Sequence, residues 1–404
     1  MNYLTCKQMA EVWACTPRRV QDLCKKGAIV GAVRHGREWL IPPNTPKPAD
    51  GRKADSPPPA CHTIADFMDP FLSYTRPGQL QDLLDRLDDS PAHDLFRAQI
   101  HAYRGEIEQA LALLLAHKQD HLALSLRGVL STTLCLCAIA TGNTKLWQDT
   151  AQYLSRTPRA DVKNRALLDF WQAANISMIS DYSHFSPAFR RGDFSELPAK
   201  IYPIARFYYA QYLYLQAHQT PVESISGRVT MFFMYLLPLT MEPLICQTHI
   251  EGAMITELHL RLLCAVTYHT SGQDALAIDQ IKRALDLALP DRLYLPVAEY
   301  YQSLAPLMDD LILNRAPDAL APIKRLSKAY HQGWILIHND VLNRTVSSSL
   351  SHRERQIASL AVYGLSNKEI ADRLGITVDA VKQTLRSTMN KTGAQNRKEL
   401  YRFI

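Results

Sequence analysis

The chain has 404 residues, of which 47% are hydrophobic and 21% are charged. This composition excludes wholesale disorder, and the length favours two or three domains. The net charge of +6 is unevenly spread, because residues 1–53 hold ten Lys or Arg against four Asp or Glu, and residues 350–404 hold ten against five. Two basic ends on an acidic middle indicate that the ends bind a polyanion.

The cysteines and the apolar segments indicate the cellular compartment of the protein. Its eight cysteines include no Cys-x-x-Cys pair, and the N-terminus lacks the pattern of a signal peptide. We therefore expect reduced thiols, a cytoplasmic location and no metal site. The most apolar stretch, residues 231–246, is shorter than the roughly 20 residues that span a bilayer. It contains Pro238 and Pro243, so we expect a buried core helix and no membrane partner.

Residues 1–42 are predicted to form a small domain of two helices and a hairpin. Thr5 and Gln8 have the spacing of a capping box, in which each side chain bonds the other residue's backbone amide. Thr16 is placed to cap a second helix, with Pro17 in its first turn. Two short strand-like runs then flank His35-Gly36, which predicts a β-hairpin.

This N-terminal segment resembles the excisionase/MerR-like winged helix-turn-helix. The residues that carry the likeness are Tyr3-Leu4-Thr5, Ala10, Thr16-Pro17-Arg18-Arg19-Val20, Gly27 and Arg34-His35-Gly36-Arg37-x-Trp39-x-Ile41-Pro42. The resemblance implies that Arg18, Arg19 and Gln21 read a DNA groove. It also implies that Arg34 and Arg37 lie on a wing whose tip enters the minor groove. The alternative is that this unit binds a protein or pairs subunits.

A proline-rich segment follows this domain. Seven prolines lie between residues 42 and 59. Proline cannot continue a helix and favours extended polyproline conformations. Residues 43–64 are therefore predicted to be a semi-rigid linker.

Residues 65–345 show helical patterns broken by glycines such as Gly105, Gly142 and Gly272. A glycine turn followed by an alanine-rich helix resembles degenerate tetratricopeptide (TPR-like) repeats, although no regular period is visible. The segment is also similar to the repeat domain of MalT-like regulators, in Arg283-Ala284-Leu285-Asp286-Leu287-Ala288-Leu289-Pro290, Tyr294-Leu295-Pro296-Val297 and Leu304-x-Pro306-Leu307.

The middle segment carries no catalytic signature. It lacks the Gly-x-x-x-x-Gly-Lys-Ser/Thr loop that cradles phosphates, and we find no catalytic arrangement of Ser, His, Cys or carboxylates. We expect no enzyme activity and no cofactor. A repeat array exposes a groove that suits a small-molecule or protein effector. The aromatic residues between 202 and 214 favour a core role, with lining of such a groove as the alternative.

Residues 346–404 have a helix-turn-helix pattern. Ser351 and Glu354 have capping-box spacing, and Ser366 is placed to cap a helix over 367–374. Gly375 makes the turn and Thr377 caps a third helix. That helix has an apolar face and an opposite polar face. The apolar face carries Val378, Val381, Leu385 and Met389, and the polar face carries Asp379, Lys382, Gln383 and Arg386.

This segment resembles the LuxR (GerE-type) DNA-binding domain. The matching residues are Leu350-Ser351-His352-Arg353-Glu354-Arg355, Gly364-Leu365-Ser366-Asn367-Lys368-Glu369-Ile370-Ala371, Leu374-Gly375-Ile376-Thr377, Val381-Lys382, Lys391-x-Gly393 and Asn396-Arg397. The resemblance implies four helices, the third in the major groove and the last able to pair two subunits. The implied partners are double-stranded DNA, a second copy of the chain and RNA polymerase.

By this resemblance, two sets of side chains contact DNA. Lys382, Gln383 and Arg386 should reach base edges. The residues expected to hold phosphates are Asn367, Lys368 and Thr377. The chain departs from the family pattern at Thr384, Thr388 and Thr392, which we expect to loosen the last packing layer.

The sequence thus predicts a mainly α protein. It combines a winged helix-turn-helix, a degenerate TPR-like middle and a four-helix LuxR-type domain. Its expected function is that of a bacterial sequence-specific transcription regulator, controlled by a signal or partner bound to the middle. The alternatives are an interaction scaffold and a recombination accessory factor that use the end domains for assembly.

Overall fold

The structure is a computed structural model, and it describes most of the chain. The described residues are 4–13, 15–25, 29, 32–36, 38–42, 45, 76–118, 122–156, 162–219, 227–342, 350, 352–362, 364–392 and 394–402. Contacts divide the chain into two compact units, Met1–His62 and Thr63–Ile404. Apart from Thr45, the predicted linker over 43–64 lies outside the described residues, so its conformation stays a prediction.

The N-terminal unit contains two helices and a small antiparallel sheet. The elements are β1 (Leu4–Thr5), α1 (Cys6–Val12), α2 (Pro17–Lys25), β2 (Val33–His35) and β3 (Glu38–Ile41). The sheet order is β1-β3-β2. The predicted capping box is confirmed, and the amide of Arg19 donates to the Thr16 hydroxyl at 3.4 Å. The hairpin is confirmed as well, whereas sequence analysis missed β1.

This unit has its own hydrophobic core. Met9, Val20 and Ile41 are fully buried in it, and Cys6 and Cys24 pack beside them. Because β1 and β2 both pair with β3, Leu4 and Thr5 form the edge strand opposite β2. The pairing holds α1 against the hairpin.

Every described secondary-structure element of the second unit is helical. Its α-helices are α3 (Leu80–Leu84), α4 (Pro91–Arg104), α5 (Ile107–Ala116), α6 (Leu124–Thr141), α7 (Thr144–Ser155), α8 (Val162–Ser177), α9 (Pro187–Arg190), α10 (Tyr202–Gln219), α11 (Gly227–Ile250), α12 (Met254–Thr270), α13 (Asp274–Ala288), α14 (Tyr294–Leu313), α15 (Pro317–Leu342), α16 (His352–Val362), α17 (Asn367–Leu374) and α18 (Val378–Thr392). Three 3-10 helices complete the described elements, at Ala199–Ile201, Leu289–Asp291 and Arg397–Arg402.

Helical hairpins occur where glycine turns were predicted. Gly105, Gly142 and Gly272 adopt φ angles of +81°, +66° and +79°, which L-residues with a Cβ rarely adopt. Each glycine joins two helices that pack on each other, namely α4 with α5, α6 with α7, and α12 with α13. Whether these hairpins are tetratricopeptide repeats stays a prediction.

The largest hydrophobic core surrounds α12. Every residue of this helix from Met254 to Tyr268 is buried, because α10, α11, α13 and α14 all pack against it. Another core helix, α6, is long and apolar enough to cross a membrane by length and composition alone. Among the described residues it is the one such helix, and 61% of it is buried inside the protein, as expected of a core helix.

The apolar stretch over 231–246 differs from its prediction. It lies within α11, which continues through Pro238 and Pro243. Where its side chains are described, Leu237 and Met241 are buried but Leu239 is 64% exposed. Only one face is covered, because the helix packs on α10 and α12 alone among the elements with substantial contact. The prediction of a helix is confirmed, and the described side chains are buried only on the face that carries Leu237 and Met241.

The last four helical elements enclose a separate core. α16, α17, α18 and the 3-10 helix at Arg397–Arg402 bury Ile357, Ile370, Val381 and Leu400 completely. The fourth predicted helix is thus present as a 3-10 helix in its described part.

Candidate nucleic-acid interface

The turn between α17 and α18 is built from local signals in the sequence. Ser366 and Glu369 form a reciprocal capping box, with N···O distances of 2.7 and 3.2 Å. Gly375 ends α17 in the left-handed region, at φ +62°. The amide of Ala380 then donates to the Thr377 hydroxyl at 3.2 Å, which starts α18. The predicted caps and turn are confirmed here, and they fix the angle between the two helices.

The two faces of α18 separate as the sequence predicts. Val381 and Leu385 are buried against α16 and α17, while Val378 and Met389 are partly buried at the same core. On the opposite face Lys382, Gln383 and Arg386 are exposed. A helix held by its apolar stripe therefore presents these long polar side chains outward.

Lys382 has one neighbour of opposite charge. Its ammonium lies 3.1 Å from a carboxylate oxygen of Asp379, and the two side chains are 59% and 90% exposed. Such exposed pairs contribute about 0–1 kcal/mol. The pair therefore presents little obstacle to a phosphate or a base edge that competes for the ammonium.

The three residues expected to hold phosphates differ in exposure. Lys368 and Thr377 are exposed, and Asn367 is half-buried. The Asn367 amide oxygen accepts a hydrogen bond from Arg397 at 2.8 Å. This oxygen is engaged within the protein, so Asn367 also orders the start of α17.

Sequence analysis assigned no role to Arg397, although it lies in the matching Asn396-Arg397 pair. Its guanidinium also donates to the carbonyl of Ala361, at 3.1 Å, and to that of Leu365. Burial lowers the pKa of Arg397 from 12.5. One side chain thus ties the end of α16 to the beginning of α17. Carbonyls as hydrogen-bond partners leave no signal in a sequence.

Glu354 is 7% exposed, and its carboxylate connects α16 to α18. It accepts from the Ser387 hydroxyl at 2.8 Å and from the Lys391 ammonium at 2.9 Å. The predicted capping partner, Ser351, lies outside the described residues, so that capping box stays a prediction. Gln383 borders the small surface groove beside these residues.

The three threonines that depart from the family pattern are accommodated within α18. The hydroxyls of Thr384, Thr388 and Thr392 donate to the carbonyls four residues earlier, at 2.8, 2.8 and 2.9 Å. Thr388 is fully buried, and its hydroxyl is satisfied in this way. Because such bonds remove the cost of an unpaired polar group, the core accepts threonine at this position.

The N-terminal unit is described by itself. Arg18 and Gln21 are exposed on α2, Arg19 is half-buried there, and Arg34 is exposed on β2. Arg37 lies outside the described residues. Exposure on a short helix and a hairpin is compatible with the roles that the resemblance implies, and these roles stay predictions.

The described residues contain no metal-binding constellation. Within them, no three His, Cys, Asp or Glu side chains form a group that could hold a metal ion. Burial, together with the neighbouring Cys6, raises the pKa of Cys24 to about 11. At neutral pH this thiol therefore stays protonated and packs as a small apolar group.

Comparison with known proteins identifies the C-terminal domain. Residues 348–404 match the family model GerE, described as bacterial regulatory proteins of the luxR family. In comparisons with curated proteins and with solved structures, nothing matches the chain. The luxR-family domain supports a DNA-binding transcription regulator of the LuxR type.

Proposed function

We propose that the protein is a sequence-specific regulator of bacterial transcription whose DNA binding is controlled from its helical middle. The proposal depends on one observation above the others. In a luxR-family domain, α18 exposes Lys382, Gln383 and Arg386 together while its opposite face is locked into the core. This is the arrangement that places a recognition helix in the major groove.

Chemistry divides the proposed contacts into two sets. The guanidinium of Arg386 and the ammonium of Lys382 suit guanine O6 and N7, and the amide of Gln383 suits adenine. Lys368 and Thr377 lie near the start of α17 and of α18 and would contact phosphates, which fix position rather than sequence.

The N-terminal unit would supply a second DNA contact. Arg18, Arg19 and Gln21 would reach the major groove from α2, with Arg34 and Arg37 on the hairpin wing. Two modules on one chain raise each other's effective concentration at DNA without any new contact. The alternative, that this unit binds a protein or pairs subunits, predicts DNA binding by the C-terminal domain alone.

The test begins with duplexes selected from a random pool by the full-length protein. Binding of the best duplex is then measured by fluorescence anisotropy at several salt concentrations. Lys368→Ala should reduce the slope of log K against log salt by about 0.9, the value of one phosphate contact. Arg386→Ala should lower discrimination at one base pair by about 1–3 kcal/mol.

A matched control removes an equal charge elsewhere. Lys282 is exposed on α13, in the helical middle, so Lys282→Ala should leave slope and discrimination unchanged. If Lys368→Ala and Arg386→Ala behave like Lys282→Ala, the proposed interface is wrong. Intact binding of a partner protein with no DNA affinity would favour the interaction scaffold instead. Binding at recombination sites rather than promoters would favour the recombination accessory role.

The remaining partners follow from this function. Pairing through the last helical segment would give a homodimer on a two-part site. Activation would require contact with RNA polymerase, and the proposed location is the cytoplasm, where the target DNA lies.

A further inference from the structure

The helical middle contains a partly open cavity of about 50 Å³. Its lining comes from six helices, α4, α6, α10, α12, α14 and α15, and from Met178, which follows α8. Space of this size exceeds the roughly 10–15 Å³ needed for one water-sized sphere and falls short of the roughly 150 Å³ of an apolar cavity that binds benzene. The cavity therefore suits an occupant of a few non-hydrogen atoms.

Three buried polar atoms at this cavity have no hydrogen-bond partner within the protein. They are the Gln99 side-chain oxygen, the Thr256 hydroxyl and Nδ1 of His259. The three residues are 2%, 1% and 8% exposed. An unsatisfied buried polar group costs about 1–3 kcal/mol, and three at one cavity indicate that they bond to something that enters it.

A carboxylate shares the cavity with these atoms. Glu299 lines it and keeps 24% of its side chain accessible. Its nearest oxygen lies 3.8 Å from Nδ1 of His259, which is too long for a hydrogen bond. Burial raises the pKa of Glu299 to about 7 and lowers that of His259 to about 4. His259 is therefore neutral at physiological pH and does not neutralise the carboxylate.

The rest of the wall is aromatic. The ring centroids of Phe207 and Tyr103 lie 5.1 and 6.2 Å from that of His259. Tyr208 and Tyr330 also line the cavity, and the Tyr330 hydroxyl bonds to Glu299. The faces of such rings attract cations within about 6 Å. Phe207 and Tyr208 are buried, in agreement with the core role predicted from the sequence, and they also line this cavity. The alternative, that they line an exposed groove of a repeat array, stays a prediction.

The charge of the lining selects the sign of the occupant. It includes the carboxyl of Glu299 but neither lysine nor arginine, and every lining residue belongs to the described part of the chain. An anion would meet a carboxylate with no compensating charge. An ammonium ion would pair with Glu299, donate to the unpartnered acceptors and lie against the rings.

We propose that this cavity binds a small organic ammonium ion, a primary or methylated amine of about three to five non-hydrogen atoms. Only the regulatory role of this site rests on the proposed function. The binding of an ammonium ion does not, because it needs no DNA. Ion pairing with a cation would hold Glu299 in its charged form. The bound ion would contact α4 and α6 as well as α12, α14 and α15, and would therefore link helices from both halves of the helical middle.

Calorimetric titration of the full-length protein tests the site in the absence of DNA. The probes are ethylammonium and trimethylammonium, with ethanol and acetate as neutral and anionic controls of similar size. At best a ligand gains about 1.5 kcal/mol per non-hydrogen atom, which limits the Kd to about 0.5 mM for three such atoms and about 0.04 mM for four. We expect binding of the ammonium ions at millimolar concentration and none of acetate.

Two substitutions assign that binding to this cavity. Glu299→Gln keeps the shape and should weaken binding about tenfold or more, whereas Glu108→Gln, exposed on α5, should leave it unchanged. Thr256→Val removes one unpartnered hydroxyl at equal volume. It should weaken binding severalfold without lowering the melting temperature, because the hydroxyl has no partner in the protein.

The outcomes separate this proposal from the proposed function. Ammonium binding no stronger than that of ethanol, or unchanged in Glu299→Gln, overturns the site. A protein that binds ammonium ions but no DNA overturns the proposed function and supports the site. Ammonium binding with DNA affinity that does not respond to it supports the site and overturns its role as the place of regulation.

Discussion

Substitution of Gly333 tests how closely two core helices approach each other. Gly333 lies on α15 where that helix crosses the turn between α6 and α7. A Cβ at this position would overlap the carbonyl oxygen of Ile139 and lie 2.8 Å from the backbone nitrogen of Gly142. These are backbone atoms of another hairpin, so no side-chain rotation can make room. Gly333→Ala must push α15 away from α6.

The magnitude follows from two opposing effects. Overpacking a well-packed core costs about 1–3 kcal/mol, and backbone atoms on both sides favour the upper end. Replacing glycine by alanine within a helix stabilises it by about 1 kcal/mol. The net loss in the free energy of unfolding should therefore be about 2 kcal/mol. The same movement displaces Tyr330, which bonds to Glu299 from α15, so ammonium binding should weaken as well.

Urea unfolding of the full-length protein, followed by far-ultraviolet circular dichroism, measures the loss. Gln332→Ala provides the control, because Gln332 precedes Gly333 on α15 and is exposed. That change should alter stability by about 0.5 kcal/mol or less. A Gly333→Ala protein as stable as the wild type would show that helix propensity outweighs the contact, and the close approach of α6 and α15 would be refuted.

Two further predictions concern single charged groups. Arg397→Ala should increase amide hydrogen exchange at the end of α16 and the start of α17, because Ala361, Leu365 and Asn367 lose their shared donor. Because Arg397 is half-buried, the substitution should lower the free energy of unfolding by about 1–3 kcal/mol. Unchanged hydrogen exchange at these amides would contradict the prediction. Glu299→Gln should change how stability depends on pH. Burial raises the pKa of Glu299 from 4.5 to about 7, so the folded state holds that proton more tightly than the unfolded state, and this contribution to stability is lost as the pH rises from about 4.5 to about 7. Burial lowers the pKa of His259 from 6.5 to about 4, so His259 contributes in the opposite direction over much of the same range. Urea midpoints compared across that range, without added amine, should therefore rise more steeply with pH in the variant than in the wild type. The same pH dependence in both proteins would contradict the prediction.

The helix-turn-helix of α17 and α18 could be predicted from sequence because its signals are local. The Ser366–Glu369 capping box, the Gly375 turn and the Thr377 cap each join residues that are no more than four positions apart along the chain. The faces of α18 follow from the helical period alone. Contacts between residues that are close in sequence determine these features. They can therefore be predicted without knowing which elements pack against them.

Other features depend on contacts between distant parts of the chain. β1 has two residues and exists only because β3 offers it backbone partners. The exposure of Leu239 on α11 depends on which of its faces other helices cover. Arg397 bonds to the backbone carbonyls of Ala361 and Leu365, which are 36 and 32 residues away, and backbone carbonyls are the same in every residue. None of these can be inferred from residue type or spacing.

The cavity shows why residue type alone misjudges a buried site. Taken one at a time in the sequence, Gln99, Thr256 and His259 are ordinary polar residues in helical segments. The structure buries Gln99 Oε1, Thr256 Oγ1 and His259 Nδ1 at one place, without a hydrogen-bond partner in the protein. Isosteric apolar residues there would spare the protein about 1–3 kcal/mol for each unsatisfied group. The three groups need bonding partners that enter the cavity, and they surround a carboxyl whose ionisation burial also opposes. The cost is explained if the bound form, rather than the empty one, satisfies them.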